Sequence, residues 1–184
     1  NSKANLGLND RTARSSPTQV GANTTWSQVR SASRTSGAIK TDGTLWIWGA
    51  NGDSGELGLN DKVARSSPTQ VGTDTTWSKI ELGRANASVI KTNGTLWTWG
   101  INQGTYGGVL GLNDQVLRSS PTQVGTNTTW KSTSSTLRGT LAVKTDGTLW
   151  SWGSNSGDSK GALGLNDVVN RSSPTQVGTD TTWN

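Results

Sequence analysis

Apolar and polar positions alternate with a period of two over short stretches of this chain, and nowhere with the 3.6-residue period of an amphipathic helix. The clearest stretch is KTDGTLWSWG at 144–153. As a strand it turns Trp150 and Trp152 to one face and Leu149 and Ser151 to the other. The same ten positions occur earlier as KTDGTLWIWG (40–49) and KTNGTLWTWG (91–100), again with paired indoles, Trp46 with Trp48 and Trp97 with Trp99. Across the copies the opposite face changes from Ile47 to Thr98 and Ser151. The pattern predicts an aromatic face buried between sheets and an opposite face that tolerates polar side chains. Asp42-Gly43, Asn93-Gly94 and Asp146-Gly147 stand just before these strands. Such pairs between β-prone runs predict a hairpin closed by a two-residue type I′ turn, with positive φ at both central residues. Lys40, Lys91 and Lys144, beside the turns, read as solvated strand positions.

The repetition extends over the whole chain. LGLND begins at Leu6, Leu57, Leu110 and Leu163, and RSSPTQVG at Arg14, Arg65, Arg118 and Arg171. A tryptophan closes each block, at Trp26, Trp77, Trp130 and Trp183. The repeats run approximately over 6–56, 57–109 and 110–162, with a partial copy at 163–184, in one segment spanning 1–184. A period of about 50 residues points to a solenoid, propeller or array. Proline cannot donate to a ladder, so the SSPTQV strand belongs at a sheet edge. Each period then supplies four short strands: the run after TTW, the two arms of the hairpin, and SSPTQV. That is a β-propeller blade. A parallel β-helix would use shorter rungs and need no Asp-Gly hairpin. The expected fold is all-β, with about three and a half four-stranded antiparallel blades. Three blades leave open edges, so the segment is expected to belong to a longer chain or to close by association of copies.

Composition sharpens this picture. The 184 residues include ten Trp but no Phe, Met or Cys, and Leu, Ile and Val fall below the ~20% at which disorder becomes a live reading. Each indole buries ~150–250 Å², so Trp26, Trp77 and Trp130, with the three strand pairs, are the expected core. Without Cys there are no disulfides or thiolate metal sites. Without His the commonest general base is missing. The twelve acidic residues fall mostly in repeated turns, where Asp bonds its own backbone. NGDSG and NSGDSKG do not match a calcium loop. No enzyme, metal or cofactor is expected. A net charge of +5 is too small to demand nucleic acid, and no run approaches the ~18 apolar residues of a membrane helix.

The string WGANGDSGELGLND (48–61), preceded by KTDGTLW, resembles the regulator of chromosome condensation repeat, and the resemblance covers the whole chain. It implies a larger ring of about seven blades. Family repeats often carry a Gly-x-x-His segment before the hairpin, and that segment is absent here. The pairing of KTDGTLW with SSPTQVG looks more like repeats of bacterial surface and phage virion proteins.

In repeat proteins identical positions are framework, and divergent ones carry specificity. Two windows diverge: the residues after each TTW, and the loop after each Trp-Gly. They offer Arg30, Arg34, Arg84, Asn86, Tyr106, Arg138 and Lys160 as candidate contacts, with Glu81 among them. The recurring Arg14, Arg65, Arg118 and Arg171 would ring one rim, where they could meet phosphate or carboxylate, but each is expected to satisfy loop carbonyls or to pair with the Asp of its own LGLND (Asp10, Asp61, Asp114, Asp167). The expected function is rigid display of these loops on a virion appendage or bacterial cell surface, outside the cell. Partners would be other protein chains, the remainder of the propeller, or a host-surface protein or glycan. An intracellular platform docking a GTPase or chromatin is the alternative, and a lectin the third reading.

Overall fold

The computed structural model of the chain describes residues 4–184, apart from the side chain of Tyr106. Among the described residues the strands form three sheets of four, and single 3₁₀ turns occupy Gly104–Tyr106 and Gly157–Ser159. Blade 1 holds β1 (Trp26–Ser31), β2 (Thr35–Lys40), β3 (Leu45–Gly49) and β4 (Arg65–Gln70). Blade 2 holds β5 (Trp77–Leu82), β6 (Asn86–Lys91), β7 (Leu96–Gly100) and β8 (Arg118–Gln123). Blade 3 holds β9 (Trp130–Ser135), β10 (Gly139–Lys144), β11 (Leu149–Gly153) and β12 (Arg171–Gln176). Strands are antiparallel and follow chain order across each sheet. The inner strands β1, β5 and β9 touch their neighbours in adjacent blades, as when Gln28 Nε2 donates to Ser78 O at 2.5 Å. Pro68, Pro121 and Pro174 fall on the outer edge strands, as their missing N–H requires. The first RSSPTQ copy, 14–19, forms no strand.

The hairpin turn departs from the type I′ expectation. Gly43 N donates to Lys40 O at 3.0 Å and Lys40 N to Thr44 O at 3.0 Å. Gly43 has φ +77° while Asp42 does not enter the left-handed region. This is the three-residue form, a turn followed by a left-handed glycine. Asp42 is needed for a different reason: its Oδ1 accepts from Thr44 N at 2.9 Å and Thr44 Oγ1 at 2.6 Å. An L-residue with that bonding has no need of positive φ, so only the glycine takes it. Gly94 and Gly147 repeat the geometry at φ +76° and +80°.

The cores lie between blades. One joins Ile39, Leu45 and Ile47 of blade 1 to Trp77, Val89 and Trp99 of blade 2. Another joins Ile90 and Leu96 of blade 2 to Trp130, Ala142 and Trp152 of blade 3. The second indole of each pair is the buried one, with Trp48 8% exposed and Trp99 and Trp152 0%. Trp46, Trp97 and Trp150 are only half-buried. The opposite face tolerates polar side chains, as expected, but it is buried as well. Thr98 and Ser151 are fully buried, and each hydroxyl donates to a loop carbonyl, Leu110 O at 2.9 Å and Leu163 O at 2.7 Å. A buried hydroxyl is tolerated because it is bonded.

The LGLND segment is what reaches across. Trp48 Nε1 donates to Asn5 O at 3.0 Å, Trp99 Nε1 to Glu56 O at 3.0 Å, and Trp152 Nε1 to Val109 O at 2.9 Å. Each acceptor just precedes the loop glycine, which lies flat on the ring. A Cβ on Gly7, Gly58 or Gly111 would stand 2.7 Å from the indole nitrogen, and these glycines have φ of +73°, +66° and +72°. Beside them Asn9, Asn60 and Asn113 donate backbone N–H to Ser66, Ser119 and Ser172 on the next outer strand, each at 2.7 Å. Each sequence period therefore straddles two blades. Truncating Trp99 to alanine should cost about 3–5 kcal/mol, and Gly58→Ala about 1–3 kcal/mol through backbone strain and the clash with the ring. Urea unfolding followed by tryptophan fluorescence tests both; an unchanged midpoint would remove this contact from the framework.

Candidate functional site

The fold sorts repeated from divergent residues by position. The tips of the inner hairpins, at 32–34, 83–85 and 136–138, lie at the end of the blades where the long loops after β3, β7 and β11 begin. Ala50 N donates to Arg34 O at 2.9 Å, Ile101 N to Ala85 O at 2.9 Å, and Ser154 N to Arg138 O at 2.7 Å. Both divergent windows thus share one end. The invariant hairpin turns occupy the opposite end, where Trp77 N donates to Gly43 O at 3.2 Å and Trp130 N to Gly94 O at 3.1 Å.

At the divergent end Arg34 and Arg84 are exposed and line a shallow depression of about 530 Å³ with Ser33, Gly83 and Thr136. Neither guanidinium forms an ion pair with an acidic group among the described residues. Arg138 belongs to the same rim, its Nη1 3.2 Å from Asp158 Oδ2 in the following loop. Lys160 is exposed in that loop. Arg30 lies on β1 rather than in a loop and pairs with Glu81 of β5 at 2.8 Å, a contact between inner strands. Asn86 is not available to a partner: it is 3% exposed at the start of β6, with Oδ1 buried and unbonded. The reading of Tyr106 as a contact residue lies outside the described residues.

The long loops are clamped by their repeated residues. Asn102 Nδ2 donates to Asp114 O at 3.1 Å, Asp114 Oδ1 at 3.1 Å and Val116 O at 3.1 Å, and its Oδ1 accepts from Leu110 N at 2.9 Å. Asn51 and Asn155 repeat this with Asp61 and Asp167. All three amides are buried. The same Asp holds the recurring arginine, with Arg65–Asp61, Arg118–Asp114 and Arg171–Asp167 at 2.5 Å and Arg14–Asp10 at 2.6 Å. These arginines stiffen their own loops, and Arg65, Arg118 and Arg171 also donate to a loop carbonyl, Val63 O, Val116 O and Val169 O; both kinds of partner were expected. At Asp61 the backbone N–H of Val63 is the main cause of a carboxyl held below its ordinary range; partial burial opposes it and Arg65 adds to it. These asparagines are not among the expected site residues, although their recurrence in Trp-Gly-x-Asn was the available signal. Between clamps the loop bears five residues in blade 1 (52–56) and seven in the others (103–109 and 156–162).

At the opposite end the lysines are not solvated. Lys40 Nζ stands 3.9 Å from the Trp46 ring centroid, Lys91 Nζ 4.0 Å from Trp97 and Lys144 Nζ 3.7 Å from Trp150. Each also faces the inner tryptophan of its blade, which packs edge-on against the strand indole at 6.1 to 6.2 Å. A cation over an indole face is a favourable partner, and the apolar stems pack on the rings. Of the three, Lys91 alone has a carboxylate in contact among the described residues, Asp74 Oδ2 at 2.5 Å. Burial opposes ionisation of Asp74, but bonds from Lys91 and Thr76 outweigh it and hold its pKa at about 2.

A more apolar groove, about 440 Å³, lies on the tryptophan face of blade 1 against Trp26, Val29 and Trp48. In blades 2 and 3 that face is covered by the preceding blade, so the groove is an open inter-blade contact. No group of His, Cys, Asp and Glu suited to a metal occurs among the described residues, and no helix is long and apolar enough to cross a membrane.

The regulator of chromosome condensation (RCC1) repeat model matches residues 42–89 and 146–182. The ultraviolet-B receptor UVR8 of Arabidopsis thaliana is 30% identical over 143 residues, covering 76% of this chain and 31% of its own length. The human E3 ubiquitin-protein ligase HERC2 is 30% identical over 131 residues, 68% of this chain and 3% of its own. The chain thus spans about a third or less of these relatives. Among solved structures, human WBSCR16 superposes with a TM-score of 0.77 at 18% identity, over 96% of this chain and 45% of its own. Prp20p of Saccharomyces cerevisiae, described by its binding to Gsp1p and histones, superposes at 0.69 with 20% identity, over 85% and 39%. At these identities the structural likeness establishes the fold.

Replacing Asn102 with alanine strands buried groups at both ends of its loop. It should cost about 1–3 kcal/mol and speed proteolytic cleavage within 103–117, read by limited digestion and mass spectrometry. The folded pKa of Asp74 lies below the ~3.9 of an unfolded chain. Its contribution to stability is therefore complete above pH ~4 and is lost as pH falls through about 2. Asp74→Asn should flatten the acid limb of the stability curve over that window and leave its neutral side shallow.

Proposed function

Because the chain is built from repeats of the regulator of chromosome condensation (RCC1) family, we propose that it is a non-enzymatic protein-binding module whose partner meets the end bearing Arg34, Arg84 and Arg138. The observation that carries this is the segregation of both divergent windows onto that end, above a framework whose loop clamps do not vary. A rigid base with changeable tips separates stability from specificity. Arg34 and Arg84, without acidic partners among the described residues, suit a carboxylate-bearing surface, since guanidinium pairs with carboxylate in a bidentate fork.

We further propose display on a virion appendage or bacterial surface, with a host-surface protein or glycan as partner. The pairing of KTDGTLW with SSPTQVG supports this setting. A second reading, an intracellular platform docking a GTPase or histone, draws on the likeness to Prp20p. A lectin finds less support, because the strand indoles are packed in and between blades, and those nearest the divergent end, Trp48, Trp99 and Trp152, are buried.

Immobilised chain is to be exposed to intact bacterial cells, a glycan array, core histones and a purified small GTPase, each over a salt series. Saturable retention on cells or glycans supports surface display, and salt-sensitive histone or GTPase binding replaces it with the second reading. In either case Arg34→Glu with Arg84→Glu and Arg138→Glu should weaken binding at least about tenfold. Reversal of Lys131, at the other end of an inner strand, should not. Equal losses from both would remove the divergent end as the contact surface.

A further inference from the structure

The lysine–tryptophan clusters have the same parts in each blade but not the same electrostatics. In blade 2 the acceptor is built in: Asp74 Oδ1 takes Thr76 N at 2.8 Å and Thr76 Oγ1 at 2.6 Å, and Oδ2 takes Lys91 Nζ at 2.5 Å. In blade 3 the equivalent residue is Asn127, whose Oδ1 takes Thr129 Oγ1 at 3.1 Å. The remaining arm of that amide is a nitrogen, a donor where Asp74 presents an acceptor. Lys144 is 7% exposed, lies over Trp130 and Trp150 at 4.9 and 3.7 Å, and forms no ion pair with a described residue. The nearest acid along its own hairpin, Asp146, spends Oδ1 on Thr148 N at 3.0 Å and Oγ1 at 2.7 Å. Its field reaches Lys144 without a contact, and the lysine pKa is lowered, by burial above all. Lys144, Trp130, Trp150 and Asn127 line a cleft of about 350 Å³ with Pro174 and Gln123.

A nearly buried ammonium is costly without an acceptor, and this one lines an open cleft. We infer that the cleft between blades 2 and 3 is a carboxylate-binding site, with Lys144 Nζ as the cation, Asn127 as a second donor, and Trp130 and Pro174 as apolar walls. The ligand carboxylate takes the place that Asp74 occupies in blade 2. Its source is either an acidic side chain of a peptide or a free organic acid. The site lies at the end of the blades opposite Arg34, Arg84 and Arg138, and is independent of the partner proposed there.

The test uses the intact chain with lysine labelled with ¹³C at Cε, titrated with sodium acetate and separately with an acetylated, amidated Ala-Asp-Ala peptide, against sodium chloride at matched ionic strength. Lys144 should shift saturably with carboxylate and not with chloride, while Lys91 stays unmoved. Asn127→Asp should abolish the response by filling the site from within. Asp74→Asn should create the same response at Lys91, which keeps the test valid if one variant folds poorly. Saturation by both probes assigns the site to acidic side chains as well as free acids, and by acetate alone to small free acids. A shift at Lys144 no larger than at exposed Lys62, or an unchanged response in Asn127→Asp, overturns the inference.

Discussion

One contact organises this protein: an indole N–H of one blade donating to a backbone carbonyl in the loop of the blade before it, over a glycine that lies on the ring. Trp48, Trp99 and Trp152 make it at 2.9 to 3.0 Å. The indole needs both halves of its character here. Its rings supply the apolar area that a chain poor in Leu, Ile and Val lacks, and its N–H finds an acceptor, without which burial would be unfavourable. The glycine is required twice, by its positive φ and by the 2.7 Å that a Cβ would leave. Sequence identity among the LGLND copies follows from that geometry.

The same contact explains where variation is allowed. The loop must return to the ring at its glycine and to the asparagine–aspartate clamp at its ends. Asn102 and Asp114 hold these points by four hydrogen bonds from or to one amide. Only the residues next to the ring, such as Val109 and Leu110, are buried there; the stretch before them is largely exposed, and length and composition drift in it. Because β2 and β3 are antiparallel, the inner hairpin tip and the loop after β3 must emerge at one end. Divergence in two separate stretches of sequence becomes a single surface. The opposite end carries the turn glycines and the lysine–tryptophan clusters, which vary only in which neighbouring position bears the acid.

The relation between sequence and structure differs from residue to residue. The edge assignment of Pro68 followed from its missing N–H, which holds in any fold. For Arg65 the sequence offered loop carbonyls or its own Asp61 as partners, and the guanidinium takes both, Val63 O and Asp61 Oδ2. The buried state of Thr98 and Ser151 could not be read from polarity, since it depends on a loop carbonyl many residues away. Lys144 misled for a similar reason: an alternating strand assigns it to a polar face, but the indoles that cover it come from β9 and β11. Asn86 opens β6 because it pairs with Gly100 across the hairpin, a boundary that its own preference does not show.

By itself the sequence determined the repeat, the four strands in each unit, the aromatic character of the core and the family. These are consequences of local chemistry written three times over: period-two alternation, turn glycines, proline at an edge. Only the tertiary structure decided that each period straddles two blades, that both variable windows meet at one end, and that the lysines sit on indole faces with unequal access to a carboxylate. Those properties depend on which strand lies beside which and on what the neighbouring blade supplies, and no residue carries that information in its own identity.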